Sequence, residues 1–187
     1  YWIIAGRVWA WLRPPLAAIA SVAGAAAVVM HGLAASGPVT SPALTAVSPL
    51  TSAALLGGAG TAMVLGHWYL VIPSMEVSHL QGIVGYHIIT LVARVAVVAV
   101  VLVLAWNVPL ATGRSLRGYI TSIDGVFFWQ RVLFGLAGPA VLGYLTWETA
   151  KIRSTQSATG ILYVDFFTIV VGEVLAGYIL MSTGVAV

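Results

Sequence analysis

The stretch GHWYLVIPSMEVSHLQGIVGYHIITLVAR, residues 66–94, decides the fold, because one apolar helix ends in it and a second apolar helix begins. A short polar turn is predicted between them, from Pro73 to Gly82. His67 stands six residues before this turn and His87 stands five residues after it. At about 1.5 Å per helical residue, the two imidazoles are predicted to lie at similar depths of roughly 8–9 Å on adjacent antiparallel helices. Such a pair is placed to clamp one ligand.

The composition predicts an integral membrane protein. Hydrophobic residues make up 60% of the chain and charged residues 7%, whereas a soluble domain carries about a quarter charged residues. The apolar stretches are long and do not alternate with polar residues, which favours helices over a barrel. The absence of cysteine excludes disulfides, thiolate metal sites, iron–sulfur ligation and covalent c-type haem within this chain. A net charge of +3 is too small to indicate nucleic acid as a partner.

The predicted fold class is an all-α bundle of about five transmembrane helices in one domain, residues 1–187. The expected spans each approach the roughly 20 residues that a bilayer requires, and they are 15–35, 53–72, 83–107, 125–147 and 159–183. Residues 1–13 are predicted to form an interfacial segment, with Trp2, Trp9 and Trp11 at headgroup level. Residues 36–52 are predicted to form an uncharged loop.

Basic residues predict the orientation. The side of the N-terminus and of the 73–82 turn holds Arg7, Arg13, Lys151 and Arg153. The opposite side holds Arg114 and Arg117. By the positive-inside rule, the N-terminus and the 73–82 turn are expected in the cytoplasm, with the chain in a bacterial or archaeal inner membrane.

Charged residues inside the spans require a structural or functional explanation. Placing an Arg or Asp at the centre of a membrane helix costs about 2.5–3.5 kcal/mol even on the milder insertion scale. Arg94 shares a helix face with His87, and Glu173 falls between Arg94 and Arg131 in depth. A buried Arg94–Glu173–Arg131 cluster is predicted, either as an ion pair that orients the bundle or with a role in proton transfer or in contacting an acidic cofactor group. Asp165 lies at the depth of the two histidines. It is expected to accept the ring N–H of a ligating histidine, to take a proton at a quinone site, or to face a partner.

The ligand hypothesis for the histidine pair is a b-type haem, because bis-imidazole iron takes one axial nitrogen from each side of the macrocycle. His67 and His87 are the predicted iron ligands, and Trp68, Tyr69 and Arg94 are the predicted residues around the cofactor. A quinone or lipid pocket lined by these histidines, or plain packing, are the alternatives.

The two remaining histidines fit the haem hypothesis less directly. His79 lies in the turn, where it can replace either ligand or change its protonation near neutral pH. His31 has no second histidine on its side of the membrane. It is a ligand there only with a methionine or with a residue of another subunit.

Five apolar helices with paired membrane histidines resemble the small cytochrome b subunits that anchor respiratory oxidoreductases such as hydrogenases, nitrate reductases and succinate dehydrogenases. The resemblance covers the topology and the placement of His67 and His87. It implies electron transfer between a peripheral catalytic partner and the quinone pool. The chain would then be at most a non-catalytic electron-transfer subunit of a respiratory complex. Those families often carry four histidines for two haems on opposite sides, whereas three of the four histidines here fall on one side.

Two other function classes remain open. One is a non-redox structural or anchor subunit that other subunits of a larger membrane complex cover. The other is a small transporter with Arg94, Asp165 and Glu173 along a polar path, although no inverted repeat is evident. No P-loop, zinc signature, GxSxG or Rossmann fingerprint occurs in the sequence.

Overall fold

The computed structural model describes residues 11–34, 41–72, 74–110 and 113–187. Five helices in these ranges are long and apolar enough to cross a membrane, and they confirm the predicted all-helical membrane fold. They are α1 (Arg13–Ala34), α2 (Pro42–Val71), α3 (Val77–Ala105), α5 (Ile123–Lys151) and α6 (Thr155–Thr183). A short helix, α4 (Leu116–Ile120), lies between α3 and α5. Trp2, Arg7 and Trp9 of the expected interfacial segment lie outside the described residues, while Trp11 is exposed.

The start of α2 corrects the predicted 36–52 loop, which is helical from Pro42 onward. The side chain of Ser41 accepts a hydrogen bond from the Leu44 N–H at 3.4 Å, and Pro42 occupies the first helical turn. Serine at the cap followed by proline is a strong helix start, because proline lacks an N–H that would be unpaired there anyway. The turn formers in this segment therefore begin a helix instead of preventing one. Residues 36–40 of the predicted loop lie outside the described residues.

A proline inside α2 marks the site where α1 attaches. Pro49 has no N–H for the carbonyl of Thr45, one turn earlier. Gly32 of α1 packs against this point so closely that a Cβ atom there would collide with the Thr45 oxygen and lie 2.7 Å from Pro49 Cγ. Glycine therefore permits the close contact between α1 and α2.

Four helices form a ring, and α1 packs on its outside against α2. Around the ring, α2 packs on α3, α3 on α5, α5 on α6, and α6 on α2. It follows that α3 and α6 lie diagonally across the bundle. A residue on the inner face of one can reach the inner face of the other through the centre.

The inner faces follow alternating steps of three and four residues, the spacing of helices packed nearly parallel in a bundle. On α3 the buried residues include Leu80, Val84, His87, Leu91, Arg94, Val98, Val101 and Ala105. On α6 they include Ala158, Leu162, Asp165, Ile169, Gly172, Ala176, Ile179 and Thr183. Three ionisable residues thus occupy positions that apolar residues fill elsewhere on the same stripes.

The middle of α5 is wound irregularly. An α-helical part (Val126–Val132) is followed by a π-helical turn (Leu133–Ala137), and α-helix resumes at Gly138–Lys151. The Gly138 N–H donates to the carbonyl of Leu133, five residues earlier. Pro139 follows directly, and its missing N–H explains why regular winding fails just before it. The irregular turn lies immediately after Arg131, one of the predicted interior charges.

Candidate functional site

His87 and Asp165 form a pair at the centre of the bundle. The Nε2 atom of His87 lies 2.8 Å from Oδ2 of Asp165, and both side chains are 0% exposed. The contact joins the diagonal helices α3 and α6. Gly143 of α5 packs beside the imidazole, and a Cβ atom there would make an ordinary contact at 3.9 Å from Nε2. The expectation that Asp165 accepts a histidine N–H stays a prediction, although the structure places Asp165 beside His87.

The pair has unused hydrogen-bonding capacity. Its 2.8 Å contact lacks the direction of a full hydrogen bond, and none of its four polar side-chain atoms has a hydrogen-bond partner among the described residues. Because buried polar groups are nearly always bonded in proteins, the free Nδ1 of His87 and Oδ1 of Asp165 indicate a site for a proton, a water molecule or a ligand.

The structure also brings together the predicted cluster of Arg94, Glu173 and Arg131. Arg94 donates from Nη2 to Oε2 of Glu173 at 2.9 Å and from Nε to Oε1 at 3.1 Å. Arg131 donates to Oε1 at 2.9 Å, and Ser52 donates to Oε2 at 2.7 Å. The single carboxylate of Glu173 thus accepts four hydrogen bonds from three helices. We call Arg94, Glu173 and Arg131 the charged triad.

The hydrogen-bond count favours a structural role for Arg94 and Glu173. Arg94 donates further to the Ser48 hydroxyl at 2.7 Å, to the Ser48 carbonyl at 3.2 Å and to the Val187 main-chain oxygen at 3.4 Å. All of its nitrogens are therefore engaged. Arg131 differs, because its Nε and Nη1 atoms have no partner among the described residues. With two guanidinium groups and one carboxylate, the charged triad carries a net charge of +1.

Two glycines allow Arg131 to enter the bundle. A Cβ atom on Gly135 of α5 would collide with Arg131 Nη1, and a Cβ atom on Gly172 of α6 would collide with Gly135. The guanidinium therefore occupies space that side chains would otherwise fill, at a close crossing of α5 and α6. Sequence reasoning missed this crossing, although the two mid-span glycines and the Gly138–Pro139 pair were visible signals.

An apolar layer separates the two polar groups. His87 and Arg94 are seven residues apart on α3, and Asp165 and Glu173 are eight apart on α6, which corresponds to about 10–12 Å along the axis. The gap is filled by one buried cluster, which we call the apolar plug: Leu55, Ala59, Leu91 and Ile169. Each of these side chains is at most 4% exposed. The bundle interior thus alternates between polar, apolar and polar layers.

A cleft of about 160 Å³ lies beside the charged triad, between α1, α2 and α6. We call it the side cleft, and its polar lining consists of His31, Thr45, Ser48, Ser52, Arg94 and Glu173. His31 reaches it because Gly32 holds the end of α1 against α2. The sequence places no second histidine on the side of the membrane where His31 lies.

His67 lies apart from His87 and corrects the expected facing pair. Its side chain is exposed on the outer surface of α2, with Nδ1 3.2 Å from the Tyr163 hydroxyl of α6. His87 is buried and contacts Asp165. The two imidazoles thus engage different residues of α6, one outside the bundle and one inside. A macrocycle with both as axial ligands does not fit this arrangement, and the haem itself stays a prediction from the sequence.

The other residues expected around the haem are also dispersed. Trp68 is 55% exposed and points away from the bundle. Tyr69 is buried, and its hydroxyl donates to the Glu76 carbonyl and accepts from the Leu80 N–H, so it fastens the turn before α3. His79 is exposed beside that turn. Among residues 11–34, 41–72, 74–110 and 113–187, no group of three or more His, Cys, Asp or Glu is placed to hold a metal ion.

No family model, curated protein or solved structure matches this chain. The features of the structure that bear on function are the two polar layers, the apolar plug and the side cleft.

Proposed function

We propose that this chain is an integral membrane subunit that takes up and releases protons at the His87–Asp165 pair, as part of a redox complex. The carrying observation is that this pair is fully buried at the bundle centre with hydrogen-bonding atoms to spare. Arg94 and Glu173 of the charged triad, by contrast, have a hydrogen-bond partner for every polar side-chain atom. The pair is therefore the interior group best suited to change its protonation state.

The chemistry of the pair is simple. With one proton between Nε2 and Oδ2, a neutral imidazole and a carboxylate carry a net charge of −1. A second proton, on Nδ1 of His87 or Oδ1 of Asp165, makes the pair neutral. The charged triad contributes +1, so the interior is neutral when the pair holds one proton and carries +1 when it holds two. Neither state places a large net charge in the membrane, where isolated charges are costly.

The redox part of the proposal rests on the resemblance to cytochrome b anchor subunits. A quinone, when bound, supplies chemistry that consumes or releases protons together with electrons. Membrane subunits that serve quinones therefore need interior groups that deliver protons. The His87–Asp165 pair has that character, and its helices α3 and α6 also carry the charged triad.

The lining of the side cleft favours a quinone headgroup as the candidate ligand of this cleft. Its lining combines an imidazole from His31 and a hydroxyl from Ser52 with a mostly apolar wall, the usual combination in sites for small amphiphilic molecules. His31 can donate to or accept from a carbonyl oxygen. Protection of His31 from a histidine-modifying reagent by a quinone analogue in liposomes would support this site, and unaltered modification would exclude it.

Infrared difference spectroscopy tests the proton site directly. Purified protein is compared in acidic and alkaline buffers, and bands of a protonated carboxyl and of imidazole are recorded. We expect Asp165→Asn to remove the carboxyl band and His87→Gln to alter both. Asp124→Asn is the matched control, because Asp124 is exposed and pairs with Arg114 at 3.7 Å outside the bundle core. Spectra that are unchanged in both pair variants would overturn the proposal and favour a purely structural subunit.

A further inference from the structure

A polar cavity of about 680 Å³ lies at the end of the bundle where the turn between α2 and α3 meets the turn between α5 and α6. Its charged lining residues are Glu76, which precedes α3, and Arg153, which follows α5. Ser78 and Gln81 of α3 and Thr155 of α6 add hydroxyl and amide groups. We call this space the end cavity.

The two charged groups of the end cavity do not pair with each other. Among the described residues, the ion pair at this end of the bundle joins Lys151 to Glu148 at 2.7 Å. The Glu76 carboxylate accepts a hydrogen bond from the Ser78 hydroxyl at 3.2 Å, and the Arg153 guanidinium has no partner in the part of the chain that the structure describes. Opposite charges that line one cavity without touching are complementary to a molecule that carries both an anion and a cation.

An apolar groove of about 480 Å³ lies on the outer surface between α3 and α5. We call it the outer groove, and its lining includes Gly85, Ile88, Val92, Ala140, Tyr144 and Trp147. Val92 is 63% exposed and Tyr144 is 62% exposed, so the groove opens toward lipid. Gly85 has no side chain to fill it. The outer groove therefore suits a hydrocarbon chain.

The end cavity and the outer groove lie in line along α3. The α3 residues that line the two follow steps of three and four residues on one face of the helix, and they are Ser78, Gln81, Gly85, Ile88 and Val92. The step from Gln81 to Gly85 is about 6 Å along the axis. Between them, the Gln81 amide donates to the Ala150 carbonyl of α5 at 3.4 Å. A molecule with a charged head and an apolar chain therefore fits both spaces at once.

We propose that the end cavity and the outer groove bind one phospholipid whose zwitterionic headgroup carries a primary ammonium, as in phosphatidylethanolamine. The phosphate lies at Arg153, because a guanidinium donates two parallel hydrogen bonds to phosphate oxygens. The ammonium lies at Glu76, and one acyl chain lies in the outer groove. The lipid thereby joins the turn before α3 to the turn after α5. This inference is independent of the proton chemistry at the His87–Asp165 pair.

Native mass spectrometry of the full chain, released from mild detergent, tests the choice of headgroup. The purified protein is titrated with phosphatidylethanolamine, phosphatidylcholine or phosphatidylglycerol that have identical acyl chains. We expect one molecule of phosphatidylethanolamine to bind about tenfold more tightly than either of the others, since both lack the ammonium N–H groups that Glu76 accepts. Equal binding of the three lipids, or a preference for phosphatidylglycerol, overturns the proposal.

Two variants remove the charges of the end cavity. Arg153→Gly deletes the guanidinium at a position with φ 59°, where glycine is favoured, so the turn is retained. Glu76→Gln deletes the negative charge. We expect each to weaken binding of phosphatidylethanolamine about tenfold. Glu148→Gln is the matched control, because Glu148 lies at the same end of the bundle and does not line the cavity. Variants that bind this lipid as tightly as the control overturn the headgroup contacts.

A substitution in the outer groove tests the position of the acyl chain. Ala140→Phe places a ring in the groove, and we expect it to reduce binding of all three lipids. Val141→Phe is the matched control, since Val141 is the next residue of α5, is 60% exposed and does not line the groove. If the two phenylalanine variants bind phosphatidylethanolamine equally, the chain does not lie in the outer groove and the proposal fails.

Discussion

Glu173→Gln should be among the most destabilising single substitutions in the protein. The carboxylate is the one anion of the charged triad, and it accepts hydrogen bonds from Arg94, Arg131 and Ser52. Glutamine offers one acceptor oxygen in place of two, and its amide group turns N–H donors toward a guanidinium. Both arginines then lie inside the membrane with no counter-ion. Removing one partner of a buried ion pair typically costs about 3–5 kcal/mol.

The assay is unfolding of the purified protein by titration of a denaturing detergent into mild micelles, followed by circular dichroism and tryptophan fluorescence. Glu148→Gln is the matched control, because Glu148 pairs with Lys151 at 2.7 Å in the exposed last turn of α5 and its loss should cost about 0–1 kcal/mol. Arg131→Met provides a second comparison. It removes the excess positive charge and keeps the Arg94–Glu173 pair, so it should cost less than Glu173→Gln. Equal stability of the two glutamine variants would refute the reasoning.

Two further predictions use the same unfolding assay. Gly172→Ala should destabilise the bundle by about 1–3 kcal/mol, since a methyl group there would collide with the backbone of α5, whereas Gly177→Ala has open space and should have little effect. His87→Ala should cost about 1–3 kcal/mol by leaving a buried carboxylate without its partner, while His67→Ala, at an exposed position, should cost less than about 1 kcal/mol. Visible spectra of the two histidine variants also test the haem hypothesis. Parallel loss of a b-type absorption in both would contradict the separation of the two imidazoles.

The sequence predicted correctly how deep the charged side chains and His87 lie along the membrane normal. A helix rises by a fixed amount per residue, so counting from a turn places a side chain along the membrane normal. The counts put Asp165 level with His87 and Glu173 between Arg94 and Arg131, and the contacts in the structure agree. The high cost of interior charge adds a second constraint, because each charged residue must find a partner at its own depth.

The sequence predicted less well which side chains of each helix face the interior of the bundle. In a soluble protein, the apolar stripe of a helix identifies its inner face, but the outer face of a membrane helix is apolar too. His67 was placed inward on depth alone. A stripe of small and hydroxyl residues on α2, which runs through Thr45, Ser48, Ala62 and Gly66, marks the inner face that the structure confirms. Gly66 lies on that stripe, so the adjacent His67 points outward.

The helical start of α2 and the irregular turn of α5 differ from the sequence prediction, and each difference has its own physical cause. Several turn-forming residues in 36–52 favoured a loop, yet Ser41 and Pro42 occupy the two positions where serine and proline start a helix. The π-helical turn of α5 depends on Pro139 and on the close approach of α6, so it required knowledge of which helix packs against α5. Residue patterns alone do not contain that neighbour.

The diagonal placement of α3 and α6 explains why one bundle can hold both a carboxylate that accepts four hydrogen bonds and a buried pair with unpartnered polar atoms. Helices adjacent in a ring meet along their sides, where small residues such as Gly135 and Gly172 bring the backbones together and leave no room for water. Diagonal helices meet only through long or polar side chains at the centre. The charged triad fills that space with three side chains and four hydrogen bonds to one carboxylate. His87 and Asp165 fill it with two, and two side chains cannot satisfy every polar atom there. The same geometry that fixes the bundle at one level therefore leaves the polar atoms of His87 and Asp165 without a hydrogen-bond partner among the described residues at the other.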